Sequence, residues 1–293
     1  MTADRSFRVT GPRGLDHSLL PMTLWRKAKK LGTWDPLDID LEQDRRDWQA
    51  LSAAEHEVLL HLTSLFAAGE ESVTVDLLPL IGVIAQEGRL EEEIYLTSFL
   101  WEEAKHVEAF RRFLDVVAEH DADLSRFHSP SYRAIFSVEL PAALQRLRHD
   151  SSPIAQAGAS VTYNMIVEGV LAETGYHAYH AMLERNGILP GMQQIVSLLK
   201  KDESRHIAYG VFLLSRLVAE HGEEVWEAIQ SRMGELMPLA IGTIGEIFDA
   251  YQEMPFGLEL EHFVNFASAQ FESRLARLER ARSQSLESVL RRR

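Results

Sequence analysis

The sequence has no cysteine and no long apolar run, and each absence excludes a class of protein. Without cysteine among its 293 residues, the chain has no disulfide framework, no thiolate metal site and no cysteine nucleophile. A membrane-spanning helix would need about 18 consecutive apolar residues, and no such run is present. The N-terminal stretch MTADRSFRVTGPRG lacks the apolar core of a signal peptide, which predicts a cytoplasmic protein.

Acidic residues outnumber basic ones in this chain. The 44 Asp and Glu against 30 Lys and Arg give a formal charge of −14, which argues against nucleic acid as the main partner. Hydrophobic residues make up 46% of the chain and charged residues 25%, as in ordinary globular proteins. A chain of this length and composition can bury a sizeable core.

Apolar residues recur at the helical period almost throughout, and no alternating strand pattern is present. Ser52 with Glu55 matches a capping box, and Asn186 with Gly187 marks the end of a helix. The pattern predicts helices over residues 17–31, 52–68, 69–87, 90–120, 131–148, 153–186, 191–220, 223–252 and 258–281. Long helices joined by short loops predict an all-α bundle.

Residues that interrupt regular structure are too sparse to mark a linker. The chain has ten Pro and 17 Gly, and most of the Pro lie at the edges of helical segments. We therefore predict a single all-helical domain over residues 1–293. Residues 272–293 hold seven Arg against three Glu, and their end, residues 283–293, is predicted to be a flexible basic tail.

Two copies of Glu-x-x-His lie 100 residues apart, Glu103 with His106 and Glu203 with His206. On a helix, residues three apart point to one face, so each pair forms a two-ligand clamp for a divalent metal. One copy is weak evidence, because Glu and His are common residues. Two copies in an all-helical chain are much stronger evidence of a metal site.

A glutamate in apolar surroundings precedes each clamp. Glu70 lies 33 residues before Glu103, and Glu168 lies 35 residues before Glu203, so the whole unit repeats. At about 1.5 Å rise per residue, two helices joined by a short loop place such residues at the same height. The six side chains should therefore meet inside a four-helix core, as in the dinuclear carboxylate bundles.

The surroundings of Glu168 support a metal independently of the motif. From Val161 to Ala172, the only ionisable side chains are those of Tyr163 and Glu168. An isolated buried carboxylate would normally take up a proton, whereas four carboxylates with two divalent ions form a neutral site. Oxygen and imidazole ligands without sulfur suit iron or manganese in a redox role, although zinc also accepts them.

Two of the proposed ligands have an acidic neighbour that competes for the role. Glu71 shares a helical stripe with apolar residues, as Glu70 does, so periodicity favours Glu70 only slightly. Glu102 is four residues before His106, but the repeated Glu-x-x-His spacing selects Glu103.

A further set, Glu173, His177 and His180, also has the spacing of a metal site. His177 lies nine residues after Glu168, which is about half a turn around the helix. It should therefore face away from the site, and we interpret all three as ordinary side chains.

Four motifs suggest a known family. They are GEESVT at 69–74, EAKHVEAF at 103–110, TYNMIVEG at 162–169 and DESRH at 202–206. With them, the chain resembles the ferritin-like dimetal carboxylate superfamily over about residues 15–275. Within that superfamily it is most similar to the ligand-binding oxidases related to the ribonucleotide reductase small subunit. The resemblance also favours Glu70 over Glu71.

The resemblance implies a manganese/iron pair in which one carboxylate, Glu103, bridges the metals. A di-iron pair would use the same residues. The implied manganese ligands are Glu70, Glu103 and His106, and the implied iron ligands are Glu168, Glu203 and His206.

The resemblance also implies an activity. Dioxygen activated at the metals would join the β-carbon of Val73 to the oxygen of Tyr163 as an ether. A long-chain fatty acid or similar lipid would bind at the metals in an apolar channel. Because bundles of this kind commonly associate through long helix faces, we expect a homodimer. No nucleotide-binding motif is present, so the external electron donor is unknown.

Three other functions share this set of ligands. A ribonucleotide reductase small subunit usually has a radical tyrosine four residues after the first motif histidine, but this chain has Phe110 there. The missing tyrosine excludes the ordinary small subunit with a tyrosyl radical and leaves only a small subunit that uses a manganese/iron cofactor. A ferritin-like storage protein would be shorter and would form a cage. A hydroxylase or desaturase component would act on an external substrate and need an electron donor.

Overall fold

The computed structural model describes residues 7–12 and 14–291. All regular structure in these residues is helical, and they contain no strand. Within the same ranges, no helix has the length and apolar character needed to cross a membrane. The predicted all-α class is therefore confirmed.

Helices of very different lengths, from four to 32 residues, make up most of the described chain. In chain order they are α1 (Leu20–Leu31), α2 (Glu42–Ala50), α3 (Ala53–Asp76), α4 (Leu78–Gln86), α5 (Leu90–Val116), α6 (Pro130–Arg133), α7 (Leu140–Arg146), α8 (Pro153–Ser160), α9 (Glu173–Tyr179), α10 (Pro190–His221), α11 (Glu223–Asp249), α12 (Leu260–Ala281) and α13 (Leu286–Leu290). The described residues also form π-helical stretches at Ala134–Glu139, Val161–Ala172 and His180–Glu184. The stretch Val161–Ala172 joins α8 to α9.

The boundary between α3 and α4 differs from the prediction. We expect a new helix from residue 69, but α3 continues to Asp76 and α4 begins at Leu78. Pro79 accounts for the position of the break, because proline lacks an N–H and is favoured in the first turn of a helix. Gly69 stays inside α3, where Phe136 packs 3.3 Å from the place a β-carbon would occupy.

Helix α2 is not predicted, because it has too few apolar residues to show a period. Its buried side chains include Asp44 and Trp48. The Asp44 carboxylate accepts hydrogen bonds from the backbone N–H groups of Gly191 (2.8 Å) and Met192 (2.7 Å) in the first turn of α10. A carboxylate there satisfies free N–H groups and complements the helix dipole.

The C-terminal segment contains a short helix where the sequence predicts a flexible tail. Ser285 caps α13, and Val289 is buried where α13 packs against α10. The predicted tail spans residues 283–293, of which 292 and 293 lie outside the described residues. The single-domain organisation of residues 1–293 stays a prediction.

A four-helix core forms the centre of the molecule. Helix α3 packs on α5, α5 contacts α10, and the stretch Val161–Ala172 packs on α10. Helix α1 covers α5 and α10 from one side, while α11 and α12 pack on Val161–Ala172 from another. These contacts place the motif-bearing segments next to one another.

Gly210 allows α10 to approach Val161–Ala172 closely, since a β-carbon at this position would overlap that of Asn164. We expect Gly210→Ala to lower the free energy of unfolding by about 1–3 kcal/mol, as overpacking does. Urea denaturation measures this change. Gly234→Ala is the control, because nothing lies within 4 Å of its added β-carbon. An equal effect of both substitutions would contradict the packing argument.

Candidate metal centre

The six predicted ligands meet at the middle of the four-helix core. None is more than 6% exposed. The contributing segments are α3 with Glu70, α5 with Glu103 and His106, Val161–Ala172 with Glu168, and α10 with Glu203 and His206. The competing residue Glu71 is exposed, which removes it from the site.

The ligand atoms form two overlapping groups, and within each group they lie within 4.8 Å of one another. Both groups contain Glu103 and Glu203. The groups are Glu70, Glu103, His106 and Glu203, and Glu103, Glu168, Glu203 and His206. The resemblance implies that Glu103 alone is shared by the two metal positions. In the structure Glu203 also faces both positions, so two carboxylates are shared.

Each histidine directs Nδ1 toward the centre, and its other ring nitrogen, Nε2, contacts a second carboxylate. His106 Nδ1 lies 3.2 Å from Glu203 Oε1, and His206 Nδ1 lies 3.0 Å from Glu103 Oε1. His106 Nε2 lies 3.3 Å from Asp202, and His206 Nε2 lies 2.9 Å from Glu102. A proton on Nε2 leaves the Nδ1 lone pair free for a metal.

These second carboxylates were only partly predictable. Asp202 is recognisable as a partner for an imidazole because it precedes Glu203. Glu102 precedes Glu103 in the same way, but sequence reasoning treats it only as a competing ligand. The signal that identifies both is the repeat itself, an acidic residue directly before each Glu-x-x-His.

Basic side chains pair with these acceptors. Arg205 donates to Glu102 Oε1 at 2.6 Å and also pairs with Asp202. The Lys105 ammonium lies 3.1 Å from Asp202. Burial alone would raise the pKa of Asp202, but His106, Lys105 and Arg205 together hold it below the usual range. Asp202 therefore stays ionised and can accept a hydrogen bond from its histidine.

The metal-free centre is electrostatically unfavourable. Burial and the neighbouring Glu203 raise the pKa of Glu168 to about 8, and burial also raises that of Glu70. Burial opposes ionisation of Glu103 as well, but His206 and His106 lower its pKa. Such opposed shifts in a small buried volume indicate a functional site.

Unpartnered atoms test whether a metal pair fits these residues. Several buried ligand atoms of the cluster have no hydrogen-bond partner among the described residues, namely Glu103 Oε2, Glu168 Oε1, Glu203 Oε2, His106 Nδ1 and His206 Nδ1. Leaving such atoms unpaired is costly, and two divalent cations would satisfy all of them. The donor set therefore fits two metal ions.

Tyr163 and Val73 lie beside the ligands. Tyr163 is buried, and its hydroxyl donates a hydrogen bond to Glu103 Oε1 at 2.9 Å. Val73 lines a cavity of about 120 Å³, and the carboxylates of Glu70, Glu103 and Glu168 lie in its wall. Tyr163 contacts the ligands but is not part of that wall.

The second histidine set lies apart from the centre, as predicted. His177 Nε2 lies 2.6 Å from His262 Nε2, and the His177 ring stacks on Phe266. His180 is exposed and pairs with Glu184. None of these residues belongs to the two groups of ligand atoms.

Comparison with known proteins identifies the family. The profile of the family described as ribonucleotide reductase, small chain, matches residues 22–281. The chain belongs to this family. The match covers every ligand of the candidate site and confirms the ferritin-like bundle predicted from the motifs.

Within the small-chain family, this member is similar to solved R2-like ligand-binding oxidases. That from Sulfolobus acidocaldarius is 39% identical, with 98% of this chain and 99% of that chain covered and a TM-score of 0.89. An R2-like ligand-binding oxidase with an aerobically reconstituted Mn/Fe cofactor is 37% identical, with 94% and 98% covered and a TM-score of 0.89. The predicted relationship to this group of oxidoreductases is therefore confirmed.

The shared carboxylates lead to a prediction about metal content. We expect the unchanged chain to bind two divalent ions and Glu70→Ala to bind one. Glu203→Ala should lose metal at both positions, because Glu203 faces both groups of ligand atoms. Elemental analysis after anaerobic loading with manganese and iron measures the content. The control is Glu71→Ala, an exposed neighbour that should keep both ions. Full occupancy in Glu203→Ala would contradict the assignment.

Proposed function

We propose that this chain is an oxygen-activating manganese/iron oxidase. The observation that carries the proposal is the group of buried, unpartnered ligand atoms at the centre, in a relative of proteins reconstituted with manganese and iron. Manganese would be held by Glu70, Glu103 and His106, and iron by Glu168, Glu203 and His206, with Glu103 shared between them and Glu203 also facing both positions. The same donors accept a di-iron pair.

When bound, the metals would supply dioxygen activation and removal of hydrogen from a nearby C–H bond. The residues of the chain prepare the site for this chemistry. Four carboxylates balance the charge of two divalent ions, and Asp202 and Glu102 fix both imidazole rings. Burial of the ligands keeps bulk water from the centre.

The oxidation would first act on the protein itself, at Val73 and Tyr163. The Cβ–H bond of Val73 and the O–H bond of Tyr163 would break and an ether bond would form between carbon and oxygen, which releases two electrons and two protons. Dioxygen would accept these two electrons and two more supplied by the divalent metals, and with two further protons from solvent it would leave as two molecules of water. The hydrogen bond from Tyr163 to Glu103 gives the phenolic proton a carboxylate acceptor. Val73 lies one helical turn from Glu70 on α3, so its side chain lies on the same face as a metal ligand.

The cavity supports a long-chain fatty acid as the bound ligand. The hydroxyl groups in the cavity wall already have hydrogen-bond partners, since Tyr132, Thr174 and Thr243 donate to backbone carbonyls. Among the described lining residues, the polar atoms without such partners belong to the carboxylates of the metal site. A ligand with one polar head and an unbranched apolar chain matches this distribution.

A ribonucleotide reductase small subunit with a manganese/iron cofactor is the second candidate, because the family profile matches. Phe110 occupies the place of the usual radical tyrosine. It is fully buried and stacks on Phe66 at 5.1 Å. No hydroxyl is available at this position, which favours the ligand-binding oxidase.

Peptide mass mapping tests the oxidase. After loading with both metals and exposure to air, we expect the peptides that carry Val73 and Tyr163 to be joined, with the mass of two hydrogens missing. Tyr163→Phe should abolish the link, because it removes the oxygen. Tyr132→Phe, a change at another buried tyrosine, should leave it intact. Separate peptides at full metal occupancy would refute crosslink formation.

We further propose that the oxidase is a homodimer. Light scattering should then give twice the chain mass of 33.2 kDa. A much larger, cage-like particle would instead favour the third candidate, a ferritin-like metal-binding protein.

A further inference from the structure

Three histidines lie together where α9 and the π-helical stretch after it face α12. His177 belongs to α9, His180 begins the stretch His180–Glu184, and His262 belongs to α12, which packs on α9. None of the three belongs to the two groups of ligand atoms at the metal centre. From spacing alone we interpret His177 and His180 as ordinary side chains, but the arrival of His262 from another helix changes that interpretation.

The ring of His177 is held in one orientation by aromatic neighbours. It lies parallel to the ring of Phe266, with an interplanar angle of 2° and centroids 4.4 Å apart, and its centroid lies 5.6 Å from that of Phe263. In this orientation its Nε2 atom lies 2.6 Å from Nε2 of His262. A side chain that is already fixed in place loses little conformational entropy when it binds a ligand.

The contact between the two Nε2 atoms leaves room for only one proton. One nitrogen must therefore offer its lone pair to the other, since two N–H groups cannot face each other at this distance. Burial lowers the pKa of His177, and the two other imidazoles lower it further, as do Arg185 and Lys200. His177 is therefore neutral near pH 7, and the neutral imidazole is the form that binds a metal ion.

His180 offers a third imidazole beside this pair. Its ring is inclined by 20° to that of His177, with centroids 6.5 Å apart. Its Nδ1 pairs with the carboxylate of Glu184, and a proton on Nδ1 leaves the Nε2 lone pair free for a metal. Because the side chain is exposed, it can turn toward the pair by changing its rotamer.

The distances and the donor atoms together indicate a class of cation. Two nitrogens bound to one tetrahedral zinc ion at about 2.0–2.1 Å lie about 3.3 Å apart, which is about 0.7 Å more than the separation of the two Nε2 atoms. His262 is exposed, so its side chain can make this shift. Imidazole ligands suit zinc, nickel and copper, whereas calcium and magnesium require oxygen ligands.

We propose that His177, His180 and His262 bind a divalent cation of the zinc class, which joins α9 to α12. A water molecule would complete the tetrahedral coordination. Ala178 on α9 and Phe263 on α12 line the apolar cavity, so the cation would fix this part of the cavity wall from outside. The inference does not depend on the proposed function, because binding requires no oxidation at the metal centre.

Equilibrium dialysis against zinc chloride tests the site in the complete protein. The chain is first loaded with manganese and iron, and elemental analysis then counts all three metals. We expect one zinc ion per chain in addition to the manganese and iron, with no loss of either. Uptake of zinc only in exchange for manganese or iron would overturn the proposal, because the zinc would then occupy the metal centre. Added calcium chloride should leave the uptake unchanged.

Substitution of the histidines locates the zinc ion. Each of His177→Gln, His180→Gln and His262→Gln should weaken zinc binding about tenfold or more, since loss of even a partner outside the ligands costs about 10–100-fold in metal affinity. Calorimetric titration of the loaded protein measures the affinity. The control His149→Gln/His221→Gln removes two other exposed imidazoles and should bind zinc normally. Normal binding in any of the three single variants, or equal weakening in the control, would refute the site.

A melting experiment tests the link between the two helices. A ligand that binds only the folded chain raises its stability, so zinc should raise the midpoint of thermal unfolding of the loaded protein. The same zinc concentration should not raise the midpoint of His262→Gln. This side chain is exposed, so the variant should melt like the unchanged chain when zinc is absent. An equal rise in both proteins would show that zinc stabilises the chain at another place and would overturn the proposal.

Discussion

The burial of four carboxylates and two imidazoles at the centre of a helical bundle is the constraint on which the rest of this structure depends. Burying a charge costs several kcal/mol unless it is paired, and the pKa of Glu168, raised to about 8 by burial and Glu203, reflects that cost. Long helices meet the constraint because their backbone groups are satisfied internally, even at the middle of the 32-residue α10. Metal binding then converts an unfavourable cluster into a neutral one.

Helices α5 and α10 each provide the carboxylate that orients the histidine on the other helix. Glu102 on α5 binds His206 on α10, and Asp202 on α10 binds His106 on α5. Each histidine also follows a basic residue, and both basic residues pair with the second carboxylates. The five-residue units EEAKH on α5 and DESRH on α10 therefore make equivalent contacts with each other. The orientation of each imidazole depends on the helix opposite, so the metal site and the packing of α5 on α10 are set by the same contacts.

The sequence predicts the residues of the centre better than the path of the backbone around it. Repeated spacing on long helices is sufficient to place the ligands, because a helix fixes which residues share a face. By contrast, α2 shows no apolar period, and its role becomes visible only when Asp44 meets the first turn of α10. The π-helical geometry of Val161–Ala172 has no signal in the sequence pattern either.

Features that need several separate segments are the least predictable. The cavity beside Glu70 requires α3, Val161–Ala172 and α12 to be placed together, and no one of these segments indicates an opening. Glu102 is visible in the sequence as an acidic residue, but nothing before the fold shows that it contacts His206 on α10. The sequence shows which side chains are charged or apolar, but it does not show which residues of other segments they contact.

The cavity and the metal centre share one wall. The carboxylates of Glu70, Glu103, Glu168 and Glu203 form its polar part, and side chains of α3, α11 and α12 form much of its apolar part. Low polarity around buried carboxylates strengthens their interaction with cations. The burial that raises the pKa of Glu168 therefore also favours the binding of metal ions at the same place.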